Sequence, residues 1–95
     1  MIKVPVVARP EYTMYLEYWE GQHWFHTDVH KWTPNIVRDY VYQLDLLQWL
    51  VNDHLFAVVD NDHKLAKFGS KIGFEYLETR QAKDGHDVDI YFRSK

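Results

Sequence analysis

Short β-type runs and two helical stripes divide this chain. Ile2 to Ala8 is rich in valine and predicts a strand, and Pro5 removes a ladder donor, so that strand belongs at a sheet edge or carries a break. Arg9-Pro10-Glu11 reads as a tight connection. Two aromatic-rich runs, Tyr12 to Trp19 and Trp24 to Val29, flank Glu20-Gly21-Gln22, and a glycine-centred break between β-formers predicts a hairpin. Side chains alternate along a strand, which places Met14, Leu16 and Tyr18 on one face and Tyr15, Glu17 and Trp19 on the other. Aromatics on both faces predict at least partial cover on both.

The pattern then changes period. Thr33-Pro34 is a helix start, with Thr as cap and Pro at the first helical position. Val37, Tyr40, Val41, Leu44, Leu47 and Val51 recur at three- and four-residue spacing, forming one stripe of an amphipathic helix that ends at Asn52-Asp53. Tyr42 and Trp49 lie away from the centre of that stripe. Leu55 to Val59 is continuously apolar, the pattern of a strand covered on both faces. After the Asp60-Asn61-Asp62 turn, Leu65, Phe68 and Ile72 mark a shorter helix, and Gly73 suits a left-handed cap. Phe74, Tyr76, Val88, Ile90 and Phe92 alternate across a second hairpin that turns near Lys83-Asp84-Gly85. The prediction is a single α+β domain over residues 1–95, ordered β-β-β-α-β-α-β-β. Its sheet is mixed but mainly antiparallel, with helices as crossovers.

Composition narrows the function classes. The 95 residues suit one core, and an aromatic content of 17% supplies large buried area for so short a chain. Net charge is −3 and the eleven basic residues are scattered, so no cationic stripe is available to neutralise phosphates, and nucleic acid is not expected as a partner. The chain contains no cysteine, which excludes disulfides and thiolate chemistry and fits a reducing cytoplasm. The start lacks an apolar run like a signal peptide, and no stretch is long enough to span a membrane. The expectation is a soluble intracellular protein.

Several short motifs occur in a telling order: Trp24-Phe25-His26-Thr27 before the long helix, then Asn61, Phe68, Ile72-Gly73-Phe74, and Asp84-Gly85 at the last turn. From about Trp24 to the end, this order resembles the second half of the GNAT acetyltransferase superfamily. It is closer still to small GNAT-like internal virion or head-assembly proteins of tailed phages. Acetyltransferases of that superfamily hold the pyrophosphate of acetyl-CoA on a glycine-rich loop opening the long helix, where backbone N–H groups meet the anion. Here the matching run is Val29 to Ile36; no glycine lies between Gly21 and Gly69, and Pro34 removes a donor. The family's tyrosine general acid falls on Gly69, and Asn61 is displaced by about one residue from the family's asparagine. The two helices that usually follow the first strand have no room between Ala8 and Tyr12.

The resemblance thus implies a catalytically degenerate GNAT-like phage protein, cytoplasmic in the host or virion-associated, that works through a protein partner or as a homo-oligomer and needs no cofactor. The alternative is a minimal acetyl-CoA-dependent N-acetyltransferase. In that case Lys31, Thr33, Asn35, Arg38 and Asn61 are the candidate cofactor contacts, and Glu17, Glu20 or Asp28 the candidate base. Four Trp, seven Tyr and five Phe exceed what so small a domain buries, and surplus aromatics mark contact surfaces. Tyr15, Trp19, Trp24, Trp32 and Tyr42 are the expected interface, on the first hairpin and the outer face of the long helix. His23, His26 and His30 do not converge on a strand, so no metal site is expected. Asp60-Asn61-Asp62 lacks the glycine of a calcium loop. Asp84, Asp87 and Asp89, with Glu75 and Glu78, read as a solvated edge.

Overall fold

A computed structural model describes residues 3–95. Eight elements follow in the expected order: β1 (Val4–Ala8), β2 (Tyr12–Trp19), β3 (Gln22–Val29), α1 (Pro34–Val51), β4 (Leu55–Val59), α2 (His63–Lys71), β5 (Glu75–Gln81) and β6 (Asp87–Arg93). The α+β class holds: six strands form one mixed sheet, ordered β1-β2-β3-β4-β6-β5. Among these neighbours β3 and β4 alone run parallel, joined by α1, while β6 inserts antiparallel between β4 and β5. Ile2, expected in the first strand, lies outside the described residues. The rest of β1 is both an edge strand and a broken one, with its register shifting between Pro5 and Val7.

Local chemistry explains the boundaries. Glu20 and Gly21 both have positive φ, 52° and 76°, giving a two-residue turn whose twist matches the flanking strands. Gln22 is therefore already paired, opposite Trp19, and the loop is shorter than the sequence suggests. Thr33 accepts from the Ile36 amide at 3.2 Å, and α1 stops where Asn52 turns left-handed. Asp62 caps α2 in the same way, accepting from the Leu65 amide at 3.0 Å. Gly73, at φ 100°, ends α2; a Cβ there would lie 3.0 Å from the Arg93 guanidinium, so both backbone and space require glycine.

Strand register fixes two unlike faces. Leu16 stands opposite Phe25, His23 opposite Leu55, and Ala57 opposite Tyr91. Both helices cover this side, where Tyr40, Leu44 and Leu47 of α1 meet Tyr12, Met14, Phe25, Leu55, Ile72 and Phe74. One polar side chain is buried among them. Gln48 donates to the Arg93 carbonyl at 2.7 Å and accepts from the Arg93 guanidinium at 2.7 Å, so its burial is compensated. Arg93 also donates to the Ile72 carbonyl at 2.8 Å, tying β6 to the ends of both helices.

Neither helix packs on the opposite face, which carries Tyr15, Glu17, Trp19, Trp24, His26, Phe56, Val58, Ile90 and Phe92 by the same alternation. One expectation changes accordingly: β4 is helix-covered on one side only, leaving Val58 43% exposed, whereas the open face of the first hairpin is still partly covered, with Tyr15 half-buried and Trp24 buried. No helix among the described residues is long and apolar enough to cross a membrane.

Candidate functional site

Where β3 and β4 meet, the sheet opens. Their parallel pairing holds at His23–Leu55 and Trp24–Phe56 and then stops, although β3 continues to Val29 and β4 to Val59. The strands splay, and α2 roofs the gap. A cavity of about 150 Å³ fills it, lined by Phe25 and Thr27 from β3, Ala57 and Val59 from β4, Phe68 from α2, and Tyr40 from α1. Strand residues of both alternating sets border it, so the space reaches between the strands as well as beneath the helix.

Tyr40 is the chemically distinctive wall. It is fully buried, and Thr27 on the same wall commits its hydroxyl proton to the Thr13 carbonyl at 2.9 Å. The Tyr40 hydroxyl has no hydrogen-bond partner in the structure. Burial pushes its ionisation well above the ordinary phenol range. Tyr12 provides a contrast within the same core: its hydroxyl donates to Asp39 at 2.6 Å, and burial, then that bond, raise it to about 12. Trp32 packs edge-on against Tyr40 and Phe68, two of the lining residues, with centroids 5.4 and 4.6 Å away.

Beyond Trp32 a groove of about 580 Å³ runs between the end of β3 and the start of α2, with Asp28, His30, Asp62 and Lys64 on its walls. Lys31, Thr33, Asn35, Arg38 and Asn61, the candidate cofactor contacts, border neither this groove nor the cavity. Thr33 is occupied as the cap of α1, Arg38 bonds Asn35, and Asn61 sits at positive φ in the turn before α2. The three candidate bases are not brought together. Glu17 pairs with His26 at 3.0 Å on the open sheet face, Glu20 occupies the hairpin turn, and Asp28 accepts from Tyr15 at 2.9 Å. Glu17 stands opposite Trp24 and Asp28 opposite Thr13, four strand positions or roughly 13 Å apart.

The histidines separate too: His26 joins Glu17, while His23 lies 3.6 Å from Asp53 on the helix side. No trio of potential metal ligands is gathered among the described residues. Of the hairpin acids, Asp89 accepts from Thr79, Glu78 pairs with Arg80, and Asp84 contacts His86, which also bonds Asp60 at 2.9 Å.

Two apolar surfaces lie on opposite sides of the molecule. On the open sheet face an aromatic row crosses four strands: Trp19–Trp24, Trp24–Phe56 and Phe56–Phe92 centroids are 6.3, 5.6 and 6.4 Å apart. The Trp24 indole donates to the Trp19 carbonyl at 3.2 Å. On the outer side of α1, Tyr42, Leu46, Trp49 and Leu50 stand exposed by 65, 40, 74 and 65%. The expected interface set is thus redistributed. Tyr42 and Trp19 are exposed, but Trp24 is only 5% exposed because its neighbours in the row enclose it. Tyr15 is half-buried, and Trp32 spends one face on Tyr40 and Phe68. Sequence reasoning missed Leu46, Trp49 and Leu50; the signal was apolar side chains falling outside the core stripe of a well-defined helix.

No protein-family model matches this chain, and no curated protein matches it.

Proposed function

We propose that this chain is a catalytically degenerate GNAT-like protein of a tailed phage, acting through protein contact in virion assembly or on a host target. The observation that carries the reading is the aromatic row on a sheet face without helix cover. In the family it resembles, two helices follow the first strand; here Arg9-Pro10-Glu11 closes that space at once, with the Arg9 amide bonded to the Tyr12 carbonyl at 2.8 Å. Trp19 and Val58 are exposed there and Phe56 and Phe92 half-buried, which leaves anchors on a surface whose aromatic side chains are of the kind that dominate contact energetics. The site of action is the host cytoplasm or the assembling virion.

The test is a photo-crosslinking residue placed at Phe56, compared with one at Lys67 on α2, in cells that make the protein. A discrete adduct from position 56 and none from 67 is expected. Equal labelling from both positions would remove the support for a contact face.

A second reading, a minimal acetyl-CoA-dependent N-acetyltransferase, is favoured by one observation: the splayed strands with a cavity and an unpartnered Tyr40 hydroxyl. Calorimetric titration with acetyl-CoA decides it. Saturable micromolar binding with amide shifts from Lys31 to Arg38 would sink the degenerate reading, and silence at millimolar ligand would sink the enzyme.

A further inference from the structure

We infer that the outer face of α1 is a twofold interface with a second copy of this chain, the two helices crossing antiparallel at Leu46. This surface lies on the far side of the molecule from the aromatic row and does not depend on the function proposed above.

Tyr42, Leu46, Trp49 and Leu50 follow the i, i+4, i+7, i+8 spacing of a single helix face. The solvent side of an amphipathic helix is typically polar. Here it carries the most exposed tryptophan of the chain, at 74%, and no charged side chain interrupts these four residues. The exposed parts of the four side chains amount to roughly 500 Å² per copy, hence about 1,000 Å² across a twofold, which reaches the size a specific interface must clear. Flanking residues extend the buried area further.

Self-pairing suits the patch better than any other occupant. An isologous contact sets the same surface against itself, so each residue must tolerate its symmetry mate. Tyr42 and Trp49 lie equally far, in sequence, on either side of a midpoint between Asp45 and Leu46. An antiparallel crossing at that midpoint therefore stacks Tyr42 of each copy on Trp49 of the other, with the two Leu46 side chains meeting beside the axis. The charges agree with the same axis. Arg38 in the first turns of α1 and Asp53 just past its end lie equally far from that midpoint, while Asp45 beside the axis is paired with Arg93 and Asp39 with Arg9. Antiparallel crossing brings Arg38 of one helix towards Asp53 of the other, and opposes the two helix dipoles. A parallel pair would superpose like charges and the two Trp49 side chains instead.

The chain has no cysteine, so a single substitution reports on the axis directly. Leu46→Cys should oxidise rapidly to a covalent dimer, because helices at contact distance bring their facing Cα atoms within disulfide reach at the crossing point. Lys67→Cys on α2 should not. Wild type should sediment as a dimer at about 100 μM, well inside the range that a modest interface supports. Leu46→Arg should sediment as a monomer with unchanged circular dichroism and thermal midpoint, which separates loss of the interface from loss of the fold. A monomeric wild type, or a dimer that survives Leu46→Arg, overturns the inference. Either result leaves the crosslinking outcome at Phe56 untouched.

Discussion

The two faces of the sheet are built from the same strands and do different work. On the covered face, the central residues of β2, β3 and β4 pack under the helices, and Tyr12, Met14 and Leu55 lose all contact with water. On the open face, the alternate residues meet only one another. Trp24 is nevertheless buried, because Trp19 and Phe56 flank it in the row. Burial on the first face comes from layering, and on the second from lateral crowding. Residues of one composition therefore yield a core on one side and a contact surface on the other.

Adjacent residues offer the sharpest way to break this comparison. Leu55 points to the helices and Phe56 to the open face. Leu55→Ala should cost about 3–4 kcal/mol in denaturant unfolding, whereas Phe56→Ala, although it removes more atoms, should cost about half as much. Equal costs would mean that something covers the open face in solution. Gln48→Leu should cost about 2 kcal/mol, since it leaves the Arg93 guanidinium without its buried acceptor. The same substitution should not alter crosslinking from Phe56. Tyr40→Phe carries the opposite sign. Removing a buried hydroxyl that has no partner should leave stability unchanged or raise it by up to about 1 kcal/mol. A loss larger than that would show that a bound group satisfies the hydroxyl.

The smallest effect belongs to neither face. His86 joins the last hairpin to the turn before α2, and its bonds to Asp60, then Asp84, raise its ionisation above the ordinary 6.5. A raised folded value means that its contribution is complete below 6.5 and fades as pH climbs through the folded value. Imidazole shifts in an NMR titration should show this, and Asp60→Asn should move the midpoint down. The Leu55–Phe56 difference should not change across the same range.

Element order was legible in the sequence because period and punctuation agreed. Thr33-Pro34, Asp62 and Gly73 act where their chemistry is local, within one turn of the backbone they cap. The identity of the open face was not legible. Tyr15 and Trp19 on one side, and Met14 and Tyr18 on the other, are equally apolar, and only the placement of the helices distinguishes them. Trp24 misled for the same reason, as its cover comes from Phe56 on a strand that follows a long helix. Gln48 carried no signal, since the partner that explains it, Arg93, lies 45 residues away. Leu46 and Leu50 did carry one. They interrupt the polar side of a helix whose core stripe was already complete without them.

The position of β6 has a consequence for how the molecule comes into being. This strand lies between β4 and β5, although it is made after both. A ribosome that has released Gln81 has delivered β4, held only by its short pairing with β3, and β5, whose one strand partner is still to come. Arg93, which closes the account by gripping Gln48 and Ile72, arrives later still. The C-terminal half of the sheet therefore forms in a single late step, during which its apolar strand edges depend on speed or on a chaperone for protection.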